Sequence, residues 1–193
     1  MNVIPTAIPD VLILEPKVFR DERGFFLESY NRAAFAAAVG EDPAFVQDNH
    51  SRSSRGVLRG LHYQIQQPQA KLVRVLAGAI FDVAVDLRRG SPTFGRWVGA
   101  ELTGDNFRQM WVPVGFAHGF LVLSESADVH YKTTDYYAPS GERCLQWDDP
   151  AVGISWPPID GGPVLSAKDR QGRSLSDADL FNAARPRPFD ALS

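Results

Sequence analysis

Two side chains able to do chemistry fall three residues apart in the run V-L-R-G-L-H-Y-Q, Val57 to Gln64: Arg59 and His62. Arginine presents a planar fork of donors that matches phosphate, and histidine is the side chain best placed to pass a proton near neutral pH. One stretch can therefore hold an anion and move a proton beside it. Gly60 apart, the neighbours are mostly strand formers, so the pair is expected on a rigid sheet and not on a mobile loop. On a regular strand, positions 59 and 62 point to opposite faces. Both can face one ligand only where the strand is irregular, and Gly60 is where a bulge is expected.

The other candidates for metal chemistry are few. The chain has four histidines, His50, His62, His118 and His130, and no H-x-H. A mononuclear metal site in a β-barrel calls for two histidines close in sequence with a carboxylate soon after. His118 closes P-x-G-x-x-H from Pro113, similar to the second sequence motif of the cupin barrels, but the first motif, with its paired metal-ligand histidines, has no counterpart. A bound catalytic metal is not expected. The single cysteine, Cys144, excludes an intramolecular disulfide framework and leaves too few thiolates for a structural zinc site. Taken one at a time, these residues also have ordinary readings. His62 alone reads as a structural histidine, Asp169 as a turn or N-cap residue, and Tyr131 as a strand aromatic. Lys71 fits an edge-strand gatekeeper as well as a site residue. His50, His130, Asp82 and Asp86 are expected to be structural, and Arg88, Arg89 and Arg96 to be solvated charges.

The scaffold that must position these groups reads as mainly β. A length of 193 residues with 44% hydrophobic content suits one globular domain over residues 1–193. A net charge of -3 and a pI near 5.8 give no basic field, so nucleic acid is not an expected partner and a small anionic ligand fits better. No stretch reads as a signal peptide or a membrane span, and the cytoplasm is the expected compartment. Val11 to Phe19 and Arg23 to Tyr30 flank the turn Arg20-Asp21-Glu22 and predict an N-terminal hairpin within residues 1–30. Asn31 and Gly40 bracket an alanine-rich helix. Strands are predicted over 45–51, 57–64, 71–76, 79–87, 96–102, 109–114, 119–123 and 129–137, a spacing typical of sandwiches and barrels. Ala79, Phe81, Val83, Val85 and Leu87 alternate with Asp82, Asp86 and Arg88, which predicts one buried face. Alternation also puts Tyr131 and Tyr137 on one strand face. Residues 151–193 read as a proline- and glycine-rich extension with a capped helix over Ser176 to Ala184.

Eight segments, in order along most of the chain, carry a resemblance. They are R-D-E-R-G-F-F-L-E-S-Y (20–30), F-V-Q-D-N-H-S-R-S (45–53), G-V-L-R-G-L-H-Y-Q (56–64), A-K-L-V-R-V (70–75), P-V-G-F-A-H-G-F (113–120), Y-K-T-T-D-Y-Y (131–137), W-D-D-P (147–150) and L-S-A-K-D (165–169). Together they resemble the dTDP-4-dehydrorhamnose 3,5-epimerases, metal-free cupin-type enzymes of deoxysugar nucleotide biosynthesis. The resemblance implies a cupin, or jelly-roll, β-barrel with an N-terminal hairpin and a few short helices. It implies epimerisation of dTDP-4-dehydro-6-deoxy-D-glucose at C3 and C5 to dTDP-4-dehydro-L-rhamnose, on the way to dTDP-L-rhamnose, with no cofactor. By the same resemblance His62 is the base, Asp169 its orienting carboxylate, Tyr131 the acid and Lys71 the cation near the enolate oxygen. Arg23, Arg59 and Lys168 would meet the nucleotide diphosphate; Glu28, Gln47, Asp48, Asn49, His118 and Glu142 would be further substrate contacts, and Tyr137 would stack on thymine. A homodimer is implied, with the hairpin at its interface and Arg23 and Glu28 serving in trans. Cys144 and Ala167 depart from the pattern, at the nucleotide end. Three competing readings stay open: an epimerase of C3 or C5 alone, a metal-dependent cupin oxygenase, and a non-catalytic sugar-binding barrel.

Overall fold

Short apolar runs separated by turn residues produce thirteen strands and one α-helix in the computed structural model, which describes residues 1–182. The strands β1 (Asn2–Pro5), β2 (Leu12–Glu15), β3 (Val18–Asp21) and β4 (Gly24–Leu27) precede the helix α1 (Arg32–Val39). After it come β5 (Gln47–Ser54), β6 (Leu58–Gln64), β7 (Lys71–Ala77), β8 (Ala79–Asp86), β9 (Trp97–Thr103), β10 (Gln109–Val112), β11 (Phe116–Val122), β12 (Ser126–Thr133) and β13 (Glu142–Cys144). A six-stranded sheet runs β1-β2-β10-β7-β12-β5, a five-stranded sheet β13-β6-β11-β8-β9, and β3 pairs only with β4. All these strand pairings are antiparallel. This is the jelly-roll arrangement expected, two sheets face to face over a shared core. No helix among the described residues is long and apolar enough to cross a membrane.

Local chemistry accounts for the boundaries. Asn31 caps α1 by accepting the Ala34 N–H at 3.1 Å, and Gly40, at φ 78°, ends it with its N–H on the Ala36 carbonyl. Both ends match the sequence reading. The first predicted strand is instead divided into β2 and β3 by Pro16, which has no N–H to give a ladder. The N-terminal β1 and the three-residue β13 carry too little pattern to have been predicted. The helix expected over Ser176 to Ala184 does not form within the described residues: 175–177 make a turn, closed by the Asp177 N–H on the Ser174 carbonyl. Residues 183 and 184 lie outside the described range.

Three packed clusters explain the burial. Val73, Val75, Ile80, Ala84, Leu102, Met110, Phe116, Phe120 and Val129 fill the space between the sheets. Phe35 and Val39 of α1 cover Leu14, Leu72 and Trp111 on the outside of the six-stranded sheet. The C-terminal extension covers the outside of the other sheet, with Val152 and Ala178 packed on Leu61, Val83, Val85 and Leu87. Strand β8 is therefore buried on both faces. Its alternating apolar residues turn outward under the extension, while Asp82 and Asp86, expected on a polar face, point between the sheets and are fully buried.

Burial at Asp86 is satisfied locally. Its carboxylate accepts from Arg88 Nε at 2.8 Å, Arg88 Nη2 at 2.7 Å, Ser91 Oγ at 2.6 Å and Thr93 Oγ1 at 2.6 Å. Burial alone would raise the Asp86 pKa, but these hydrogen bonds outweigh it and hold the carboxyl below its usual range. Arg88 is likewise no solvated charge: it also bonds Asp10 at 2.9 Å and lies over the Phe116 ring. Arg88→Met should cost about 3–5 kcal/mol of stability, because Asp86 would be left a buried charge without its cation. Urea denaturation checks this, and a loss under about 0.5 kcal/mol would contradict it.

Candidate active site

Strand parity brings the candidate residues to the space between the sheets. On β6 and β11, His62 stands directly opposite His118, and Arg59 opposite Phe120. Three residues of β6 thus span two of β11, which is the bulge expected at Gly60. Gly60 sits at φ 127°, and the Gly60–Leu61 peptide is cis. The strands approach so closely here that a Cβ on Gly60 would lie 2.6 Å from the Gly119 Cα, and one on Gly119 2.6 Å from the Arg59 carbonyl oxygen. His118 and Phe120 share the inner face, so Arg59 and His62 do as well. The six-stranded sheet supplies the opposite wall. Tyr131 pairs with Val73 on β7 and with Asn49 on β5, and Thr133 with Lys71 and Gln47, so these residues share the face that looks towards β6.

His62 Nε2 and Asp169 Oδ1 are 2.6 Å apart. The carboxylate is nearly buried and comes from a 3-10 turn over Asp169–Gln171 in the C-terminal extension. Ser166 fixes it: its Oγ donates to Asp169 Oδ2 at 2.7 Å and accepts the Asp169 N–H at 3.1 Å. Burial raises the Asp169 pKa, but the bonds from His62 and Ser166 outweigh it and keep the carboxyl below the usual range. An ionised Asp169 accepts from Nε2–H, which leaves Nδ1 with the lone pair. Ser166 was not foreseen, although S-A-K-D carries the S-x-x-D spacing by which a serine caps the turn behind it.

Lys71 is buried, with Nζ 3.3 Å from the His62 carbonyl oxygen and 6.0 Å from the Tyr131 ring centre. Burial lowers its pKa to about 8, against the opposing pull of Asp82 and Glu142. Burial also lowers the His118 pKa despite its 2.8 Å bond to Asp82 Oδ1, and it raises that of the Tyr131 phenol. Asp82 is the buried carboxylate beside these groups that alternation hid. Its signal was the nearly unbroken apolar run I-F-D-V-A-V, which marks a strand buried on both faces. Its Oδ2 is buried with no hydrogen-bond partner among the described residues.

The remaining candidates divide. Glu142 accepts from Tyr137 Oη at 2.7 Å and pairs with Lys168, beside a cavity of about 320 Å³ that Cys144, Arg143 and Arg173 also line. Gln47 donates to Asn49 at 2.9 Å and accepts the Tyr137 N–H at 3.0 Å. Tyr137 reaches Glu142 from a loop, because β12 stops at Thr133; strand parity with Tyr131 does not apply. Asp48 falls on the other face of β5, bonded to Lys132 at 3.0 Å and 3.5 Å from His130. Arg23 and Glu28 stay with their own segment, on Asp21 and Asn31. A larger cavity of about 580 Å³, lined by residues of α1, β10 and the loops around them, contains none of the candidates. Asp82→Asn should move the pH at which Lys71 loses its proton below its present value near 8. Carbon NMR of the labelled lysine side chain reads that midpoint, and an unmoved value would separate the two residues.

Comparison with known proteins gives a consistent result. The sequence model of dTDP-4-dehydrorhamnose 3,5-epimerase matches residues 5–177. The chain is 63% identical over 181 residues to the dTDP-4-dehydrorhamnose 3,5-epimerase of Pseudomonas aeruginosa, covering 94% of this chain and 99% of that one. The enzyme of the same name from Methanothermobacter thermautotrophicus is 48% identical, over 92% and 96% of the two chains. The crystal structure of the Legionella pneumophila 3,5-epimerase in complex with dTDP-4-keto-L-rhamnose superposes with a TM-score of 0.93 at 52% identity, over 95% and 99% of the chains. A 3'-monoepimerase from Streptomyces bikiniensis, in complex with dTDP-quinovose, has a TM-score of 0.86 at 36% identity, over 93% and 92%. By sequence and by fold, this chain belongs to the dTDP-4-dehydrorhamnose 3,5-epimerase family.

Proposed function

We propose that the chain epimerises dTDP-4-dehydro-6-deoxy-D-glucose at C3 and C5, giving dTDP-4-dehydro-L-rhamnose. The observation that carries this reading is a histidine held by a buried carboxylate on one sheet, facing a protonated tyrosine and a buried lysine on the other. The C4 ketone acidifies the hydrogens on both flanking carbons. His62 takes one, the C–H electron pair moves into the ring, and charge collects on O4 as an enolate. Asp169 holds the imidazole in one tautomer and stabilises the imidazolium that forms. Lys71 sets its positive charge near O4, favouring the enolate over the ketone. Tyr131, whose phenol burial keeps protonated, delivers a proton from the opposite face and regains one from solvent, while His62 releases to solvent the proton it took. The same cycle at the second carbon completes the double inversion.

Binding follows the division seen in the site. His118 and Arg59 lie on the wall that carries the base, Gln47 and Asn49 on the wall that carries the acid, and Tyr137, Glu142 and Lys168 at the mouth where the nucleotide would enter. Arg23 and Glu28 fit a role in the site of a second copy. The hairpin that bears them exposes Phe19, Phe25 and Phe26, an apolar surface that a homodimer would cover. The proposed proton transfers call for no cofactor, and the cytoplasm fits an enzyme with one thiol. Double epimerisation is favoured over inversion at one carbon by the full-length identity to 3,5-epimerases.

Proton NMR of the 4-keto sugar nucleotide in D₂O tests the reading directly. Label should enter at both C3 and C5; label at one carbon only would make the chain a monoepimerase. Tyr131→Phe should still form the enolate, so deuterium enters retained substrate once the His62 proton has exchanged with water, while inverted product falls by about 10²–10⁴. His62→Ala should lose both signals. Wild-type inversion rates in a folded, nucleotide-binding Tyr131→Phe variant would remove tyrosine from the acid role. The turnover rate should also fall as pH rises through about 8, where Lys71 gives up its charge. A rate that stays level up to pH 10 would show that the reaction does not use that charge.

A further inference from the structure

Cys144 enters neither the proton transfers nor the substrate contacts above, yet the fold sets it against the dyad. On β13 it pairs directly with His62, and the ligand-capable atoms of His62, Cys144 and Asp169 all lie within 4.8 Å of one another. One imidazole nitrogen, one thiol sulfur and one carboxylate oxygen form a donor set of the kind that binds zinc. A route from solvent exists, because Cys144 also lines the 320 Å³ cavity beside Lys168 and Glu142. We infer that His62, Cys144 and Asp169 form a zinc site whose occupation blocks the epimerase, a consequence that rests on the function proposed above.

The fit is close. Four-coordinate zinc at its usual bond lengths keeps its ligand atoms roughly 3.5 Å apart, so the three side chains need move only about 1 Å, with solvent as the fourth ligand. The cation replaces the hydrogen between His62 Nε2 and Asp169 Oδ1, and the imidazole proton shifts to Nδ1. The cysteine thiol loses its proton to solvent as the zinc–sulfur bond forms, and nothing is oxidised or reduced. With Nδ1 protonated and Nε2 bound to metal, His62 has no lone pair left to take a proton from sugar. Oxidation is a poorer match to the same thiol. Burial, with Asp169 nearby, pushes the Cys144 pKa up to about 12, so little thiolate is present without a metal to displace the proton.

Isothermal titration of the full chain with zinc chloride, at fixed pH and without nucleotide, tests the site. One zinc per chain is expected, with affinity at least about tenfold lower in Cys144→Ala and again in Cys144→Ser, the second controlling for side-chain size. The zinc response of each variant is read against its own zinc-free turnover. With zinc present, wild-type turnover should fall and recover on adding EDTA, while the variants resist. Absence of stoichiometric binding, or equal affinity in wild type and both variants, would overturn the metal site and leave the proposed function standing. Zinc bound through Cys144 with turnover untouched would overturn the block, and would count against His62 as the base.

Discussion

The bond between His62 Nε2 and Asp169 Oδ1 ties β6 to a turn 107 residues further along the chain. The segment that brings Asp169 there has almost no regular structure. It is held by isolated bridges, Val57 to Val164, Leu145 to Arg173 and Arg88 to Phe181, and by the apolar residues it lays over the five-stranded sheet. The geometry of the dyad is therefore set by how well this cover docks. A barrel without the cover would expose Leu61, Val83 and Val85, and would leave the imidazole free to choose either tautomer.

A second constraint sits one turn of backbone away. At Gly60 and Gly119 two strands approach too closely for any side chain, and the extra residue in β6 carries Arg59 back to the inner face. The bulge thus converts a parity conflict into a shared wall for Arg59 and His62, the groups proposed to bind the diphosphate and to act as base. Its cost in ladder pairing falls where the neighbouring Asp169 carboxylate, 3.4 Å from the Gly60 N–H, can still receive that donor. Backbone irregularity and acid placement support each other at the same point.

Much of this was legible in the sequence, and the failures share a cause. The helix between Asn31 and Gly40, eight of the strands and the bulge follow from caps, alternation and parity, because each depends on residues adjacent in the chain. Asp82, Asp86 and Arg88 were misjudged because alternation assumes one wet face, whereas the C-terminal extension dries the second face of β8. Tyr137 was placed by strand parity although the strand had already ended. The role readings of Tyr131 and Lys71 came from resemblance, since a tyrosine or lysine in a strand carries no local sign of what stands across the barrel.

The buried charges between the sheets show why a lysine suits the proposed enolate better than an arginine would. A guanidinium stays ionised in any setting and demands several fixed acceptors, as Arg88 does with Asp86 and Asp10. An ammonium needs less and responds to its surroundings. Burial pulls Lys71 towards neutrality, and Asp82 and Glu142 pull it back, leaving its pKa near 8. Such a cation is charged at neutral pH but only lightly committed to partners, its one hydrogen bond among the described residues being a 3.3 Å approach to a carbonyl. In the proposed reaction, charge developing on O4 would meet a donor whose hydrogen bonds are largely unspent. Such an interaction would be stronger with the enolate than with the ketone, which is the condition for lowering the barrier instead of merely binding the sugar.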